Sequence, residues 1–356
     1  VWSFLVALAA LAVAVGESLF RHRDFFWVKK RFMATDDEAL HLFLSRFRLS
    51  KKTAELYWMI GALFRLKGNI DHALRIHGAI FEKGIDIDRA KLEMAEDFFA
   101  AGLYDQAEAL LLQVQKDPFR IRANDLLRLL YAREKEWHKA IAITELVSAE
   151  TKVPRHHEIA HFYCELSLLA LIDDHYDKAI ALADQALGTD RQNVRANIIA
   201  GQIFLLQKNW LSAITRFRAI EMQNPCYLSL VIEYLTRAYE ALDRKEALLP
   251  ILWHYWEHYR LVEALLAWSS VQENKIMPLV DEIKKSPDLK LLLKMLERRT
   301  LIEDPLLHLL RDFLRDLDER AAYVCKQCGY KTTTFLWQCP GCEAWASVTP
   351  QRVLYD

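Results

Sequence analysis

Ala101-Gly-Leu-Tyr-Asp-Gln-Ala-Glu108 decides the fold, because its centre, an aromatic residue with alanine three positions later, recurs along the chain. Ile70-Asp-His-Ala73, Tyr104-Asp-Gln-Ala107, Trp137-His-Lys-Ala140, Tyr176-Asp-Lys-Ala179 and Trp210-Leu-Ser-Ala213 belong to one series. Ala39, Ala73 and Ala107 are spaced by 34, the next steps are 33 and 39, and Ala179, Ala213 and Ala247 return to 34. A step of this length is one helix-turn-helix unit, which cannot bury its apolar face alone and must stack on its neighbours. Gly61, Ala95, Ser167 and Gly201 supply a small residue where the two helices of a unit approach closely, and Phe64, Phe98, Tyr131 and Phe204 share a second register position. Arg128 and Leu235 break the small-residue rule, so their repeats are expected to be distorted. The step of 39 runs through Thr151-Lys-Val-Pro154 and predicts an inserted loop, while Pro118 and Pro225 are expected to stop second helices.

The period is that of tetratricopeptide repeats and predicts an all-α solenoid whose concave side, built from first helices, holds a peptide or protein segment. Only nine prolines and ten glycines in 356 residues favour long helices over a strand-rich fold. Residues 36–260 read as the repeats, with 36–47 as the second helix of an incomplete first unit. Residues 261–320 read as a degenerate pair over 261–272 and 277–285, then capping helices over 289–299 and 306–317.

A different chemistry stands near the C-terminus. Cys325-Lys-Gln-Cys328-Gly and Cys339-Pro-Gly-Cys342 are two Cys-x-x-Cys pairs, each a tight turn aiming two sulfurs at one point. The ten residues between them allow a short hairpin that closes a tetrahedral site with no open position, so Cys325, Cys328, Cys339 and Cys342 are expected to hold one structural metal. Redox dithiol chemistry needs only one such pair and a strand-helix setting absent here. Residues 321–356 therefore read as a small metal-binding β-hairpin with four cysteine ligands, of the rubredoxin or zinc-ribbon kind. Tyr330, Phe335, Trp337 and Trp345 give it apolar faces, and a unit this small buries little core, so it is expected to dock on the repeats. Cys164 and Cys226 read as a buried thiol and a turn thiol.

The N-terminus carries an uncharged run, residues 1–15, ended by Glu17. With Gly16 it makes about 24 Å of helix, which Leu19 and Phe20 extend toward the hydrocarbon thickness of a bilayer. No basic stretch precedes it, as a signal peptide would require, so residues 1–20 are expected to be a retained transmembrane helix. The chain begins without methionine, and one or more residues are expected to precede Val1. Arg21, His22, Arg23, Lys29, Lys30 and Arg31 follow, and the positive-inside rule places that flank, and the body of the protein, on the cytoplasmic side. Residues 21–35 form the juxtamembrane linker, with Phe25, Phe26 and Trp27 suited to the bilayer interface. A reducing compartment also suits four free thiols.

Other constellations are weaker. His254-Tyr-Trp-Glu257-His258 has the form of an inverted zinc-peptidase motif but lies where a second helix of the repeat belongs, without an identifiable third ligand. His156, His157 and His161 suit a solvated helix start followed by a packed face. A net charge of -1 and the sparse set Lys326, Lys331 and Arg352 argue against nucleic acid as a partner. No constellation requires an enzyme.

The stretches Ala101 to Glu108, Glu158-Ile-Ala-His-Phe-Tyr-Cys-Glu-Leu166 and Trp337-Gln-Cys-Pro-Gly-Cys-Glu-Ala-Trp345 resemble the lipopolysaccharide assembly protein B (LapB) family of Gram-negative bacteria. The order of anchor, repeats and Cys-x-x-Cys-Gly knuckle matches it over the whole chain. By that resemblance the four cysteines correspond one by one to the family's metal ligands. Glu343 departs from it, standing where a rubredoxin knuckle usually has glycine, and the loop between the pairs is shorter than in true rubredoxin. A rubredoxin-like label implies iron, whereas the thiolate set suits zinc equally. The resemblance implies a non-catalytic, single-pass inner-membrane adaptor that promotes degradation of the deacetylase LpxC by the protease FtsH and contacts the membrane sensor YejM. The alternative is a scaffold for lipopolysaccharide-synthesis proteins that works without a protease.

Overall fold

The computed structural model describes residues 48–272 and 323–350. The expected anchor, linker, first incomplete unit and the helices expected beyond Gln272 lie outside the described residues. Thirteen α-helices occupy the described repeat region: α1 Ala54–Leu66, α2 Ile70–Glu82, α3 Ile87–Ala100, α4 Tyr104–Leu111, α5 Phe119–Arg133, α6 Trp137–Thr151, α7 His156–Ile172, α8 Tyr176–Thr189, α9 Val194–Leu206, α10 Trp210–Gln223, α11 Ile232–Ala241, α12 Lys245–Tyr259 and α13 Val262–Val271. Second helices begin at Ile70, Tyr104, Trp137, Tyr176 and Trp210, so the aromatic or aliphatic member of each repeated tetrad is a helix start. Its alanine partner is fully buried at Ala73, Ala107, Ala140, Ala179 and Ala213.

The chain divides into two compact units at Glu136 and Trp137, inside the repeat whose first helix carries Arg128 at the small-residue position. The Arg128 side chain is buried and its Nε donates to Asp125 Oδ1 at 3.0 Å. The repeat holding Leu235 is also distorted: its first helix is broken into a 3-10 turn, Pro225–Leu230, and the short α11. Pro225 follows the end of α10 as expected. Pro118 does not stop a helix, because α4 already ends at Leu111; it caps the start of α5 instead, its fixed φ suiting a helix entrance.

In the first unit, α1 and α2 close around Tyr57, Trp58, Phe64, Ile76 and Ile80. The second helix inserts His77, fully buried, with its Nδ1 at 2.6 Å from Asp97 Oδ2 of α3. Asp97 also accepts from Arg65 at 2.7 Å, and Arg65 reaches Glu93 and Glu96 of the same helix. Gly61 makes room for this: a Cβ there would lie 2.2 Å from His77 Nε2. The ring cannot yield, since Asp97 holds its other nitrogen. Gly61→Ala is expected to cost about 3 kcal/mol through overpacking and loss of the buried pair, read as a lower urea midpoint with an unchanged m-value.

The second unit repeats the device with an apolar ring. Gly201 faces Phe217, which a Cβ would meet at 2.4 Å. Ser167 uses its hydroxyl instead, donating to the carbonyl of Ala179 at 2.7 Å. Its core joins Val194 and Ile198 of α9, Phe217 of α10, Tyr227 and Leu228 of the 3-10 turn, and Leu248, Leu252 and Tyr255 of α12, with Phe335 and Trp337 of the C-terminal segment packed against them.

Candidate metal centre and its docking surface

Residues 323–350 form a three-stranded antiparallel sheet, in spatial order β2-β1-β3, from β1 Tyr323–Cys325, β2 Lys331–Thr332 and β3 Val348–Pro350. The hairpin expected between the two cysteine pairs is placed differently. β1 and β2 flank the first pair, whose turn is itself the hairpin loop, and β3 returns along β1 to carry the second pair beside it. The two turns share their construction: Gly329 N–H donates to Cys325 O at 2.9 Å, and Glu343 N–H donates to Cys339 O at 2.8 Å. Each residue after the second cysteine is left-handed, Gly329 at φ 74° and Glu343 at φ 58°. Glu343 thus occupies a conformation that favours glycine, which is why glycine is the usual residue there.

The turns bring the four cysteines together. All four Sγ atoms lie within 4.8 Å of one another, with Cys325 and Cys342 at 3.6 Å and Cys328 and Cys339 at 3.6 Å. A disulfide would need about 2 Å. A tetrahedral metal with thiolate bonds of about 2.3 Å instead needs sulfurs about 3.8 Å apart, so the donor set fits a bound ion. The thiols are also electrically unlike. Hydrogen bonding to the Ser347 hydroxyl, then to the Cys328 and Gln327 amides, holds Cys325 down to about 6. Against the Ala344 amide, burial and hydrogen bonding with Cys328, Cys325 and Cys339 push Cys342 up to about 12. Four such sulfurs cannot all ionise in one place without a cation among them. Among the described residues this is the one group of histidine, cysteine or acidic side chains arranged to hold a metal.

The knuckle does not stand apart from the repeats. Trp345 stacks on His161 of α7 at 5.0 Å and 13°, and meets Phe162 edge-on at 6.2 Å. Trp337 stacks on Tyr227 at 5.5 Å, and Phe335 meets Trp337 edge-on at 4.8 Å. Arg195 of α9 lies 5.7 Å from the centre of Trp337 and 5.5 Å from that of Trp345, its guanidinium anchored by Glu165 at 2.7 Å. The Tyr227 hydroxyl donates to Ala346 O at 3.1 Å. Burial, then the nearby His157 and Arg195, drive His161 well below the usual imidazole range. It is therefore neutral and stacks as an aromatic plane beside the arginine. Aromatic pairs of this kind contribute about 0.5–1.5 kcal/mol each beyond their buried area.

Sequence reasoning places Phe335, Trp337 and Trp345 correctly, but Tyr330, expected among the sticky faces, is exposed, and the receivers on the repeats are missed. His161 reads there only as part of a packed helix face, and Arg195 and Tyr227 do not stand out. One signal was available: His161 and Arg195 are 34 residues apart, two polar groups at one position of consecutive first helices. The other constellations are structural. Cys164 is buried and pushed up to about 12 by burial, which makes it inert, and Cys226 is exposed in the 3-10 turn. His157 pairs with Asp190 at 3.0 Å. His254 pairs with Glu221 at 2.9 Å across α12 and α10, a surface contact within the repeats.

Comparison with known proteins supports the resemblance. A family model described as a rubredoxin metal binding domain matches residues 323–350. Lipopolysaccharide assembly protein B of Escherichia coli (strain K12) is 28% identical over 335 residues, covering 89% of this chain and 86% of that protein. The Haemophilus influenzae protein of the same name is 27% identical over 344 residues, 88% of this chain and 85% of the relative. Among solved structures, a MamA fragment of Desulfovibrio magneticus RS-1 aligns with 48% of this chain and 94% of its own, at 19% identity and a TM-score of 0.33. The chain is thus similar to lipopolysaccharide assembly protein B across most of its length.

Proposed function

We propose that this chain, which resembles lipopolysaccharide assembly protein B, acts in lipopolysaccharide assembly as a non-catalytic adaptor tethered to the cytoplasmic face of the inner membrane. The observation that supports it best is the pairing of that long match with a cysteine knuckle seated on the repeats. In this reading the chain is laid out as an anchor over 1–20, a linker over 21–35, repeats over 36–260, degenerate and capping helices over 261–320 and a metal knuckle over 321–356. Cys325, Cys328, Cys339 and Cys342 hold one structural ion, iron or zinc. When bound, the ion cross-links the two turns and supplies no reactive position. The residues of the chain do the rest: His161, Arg195 and Tyr227 receive the knuckle, which extends the surface that the first helices offer to a client.

The client is the deacetylase LpxC, presented to the membrane protease FtsH, with YejM contacting the anchor as a regulator. Tethering turns a weak three-body encounter into one confined to the membrane plane and raises the effective concentration of adaptor near protease. Removing residues 1–20 is therefore expected to abolish LpxC turnover in cells while leaving client binding by the truncated protein measurable. Turnover at the full-length rate by the truncated protein refutes the tether. Client levels that respond to this protein equally with and without FtsH favour a protease-independent scaffold of lipopolysaccharide-synthesis proteins.

A further inference from the structure

The segment Ala344-Trp-Ala-Ser347 belongs to both the metal site and the docking surface. Its middle faces the repeats, through the Trp345 ring on His161 and the Ala346 carbonyl on Tyr227. Its ends face the sulfurs. The Ala344 carbonyl accepts from the Cys339 N–H at 3.0 Å, and the Ser347 hydroxyl lies 3.3 Å from Cys325 Sγ. Ser347 is itself nearly buried, and its backbone carbonyl accepts from Lys326 N–H at 2.8 Å, fixing it against the first knuckle.

The single Ser347 hydroxyl hydrogen has two possible acceptors within reach, Ala344 O and Cys325 Sγ. As arranged, Cys325 Sγ–H donates to Ser347 Oγ, and Ser347 donates onward to Ala344 O at 3.0 Å. A cysteine that holds a metal has no hydrogen to give and is an acceptor only. The Ser347 hydroxyl must then turn toward Cys325 Sγ. Ala344 O stays satisfied, because Cys339 N–H also donates to it at 3.0 Å. The turn leaves no buried carbonyl orphaned, so it costs little and gains a charge-assisted hydrogen bond.

We propose that Ser347 is a positioning residue which, by donating its hydroxyl to the Cys325 thiolate, holds the metal site closed and ties the docking segment to it. The inference rests on the reading of the four cysteines as metal ligands. Partners of this kind around a metal site change its affinity roughly 10–100-fold when removed. Threonine keeps the hydroxyl at position 347 and valine has the same shape without it, so the pair isolates the hydrogen bond from packing.

The test uses the full chain loaded with zinc and challenged with a chromogenic chelator, in the wild type and in Ser347→Ala, Ser347→Thr and Ser347→Val. Each protein is also loaded with cobalt(II) to record its sulfur-to-metal charge-transfer band. The expected result is one zinc per chain throughout, release about tenfold or more faster for the Ala and Val variants than for wild type, and near-wild-type release for Thr. The cobalt band shifts to longer wavelength in Ala and Val and returns in Thr, a change that a merely structural role would not produce. Equal release rates and equal bands for Thr and Val, at one zinc per chain, overturn the role of Ser347 and leave the metal reading standing. A wild-type chain that takes up no zinc and no cobalt overturns both.

Discussion

Cys325→Ser together with Cys328→Ser is expected to leave less than a tenth of the wild-type metal content and to release the knuckle from the repeats. The physical basis is the size of the unit. Residues 323–350 contribute three short strands and a core of Cys325, Cys339 and Val348 with Tyr323 against it, far too little apolar burial to fold alone. In small tetrahedral zinc domains metal binding supplies about 10–16 kcal/mol, and that energy is the folding energy. Removing two of four ligands therefore disorders the segment rather than loosening it. Trp337 and Trp345 then leave their contacts with Tyr227 and His161, and the tryptophan emission moves to longer wavelength. The repeats keep their helical signal, because Gly61, Ala95, Ser167 and Gly201 do their packing without the knuckle. On the proposed reading, adaptor activity is lost with the knuckle. Full LpxC control by a double variant shown to be metal-free sinks the proposal that the knuckle completes the working surface.

What was legible in the sequence follows from how local each constraint is. The repeat was readable because its signal is a short-range rule repeated at one period, a helix start and a buried alanine three residues on, as at Tyr176 and Ala179. Arg128 and Leu235 were readable as faults for the same reason: a large side chain at a close helix contact has nowhere local to go. The four cysteines were readable because the ligand spacing fixes the turn before anything else folds. Strand order in the knuckle was not, since two-residue and three-residue strands carry no period. The receivers were also hidden. His161 and Trp345 are remote in sequence, and nothing near His161 says that the aromatic plane beside it comes from position 345. The buried network of Arg65, His77 and Asp97 was likewise invisible, because its partners sit on three helices and none is unusual alone.

Trp345→Ala is expected to separate the two roles that the cysteine variant removes together. Trp345 lies outside the four ligands and its ring points to the repeats, where it stacks on His161, meets Phe162 edge-on and shares Arg195 with Trp337. Two aromatic pairs and a share of a cation–π contact are worth about 2–4 kcal/mol together with the area they cover. Tyr227→Phe, by comparison, removes only the hydrogen bond to Ala346 and is expected to cost about 1 kcal/mol. A loss of about 3 kcal/mol lowers the docked-to-free ratio roughly 150-fold, enough to undock a knuckle held by a small surplus of free energy. The metal site should survive, because no sulfur and no turn hydrogen bond is changed. On the proposed reading the variant is therefore expected to carry one metal per chain, to move its Trp337 emission to longer wavelength, and to fail as an adaptor nearly as fully as the cysteine variant. Tyr227→Phe should fall between it and the wild type. If Trp345→Ala keeps both its metal and its control of LpxC, the knuckle works without being docked and the aromatic contacts serve stability alone. If it loses its metal, docking and ligation form one cooperative unit, and the surface cannot be varied independently of the site.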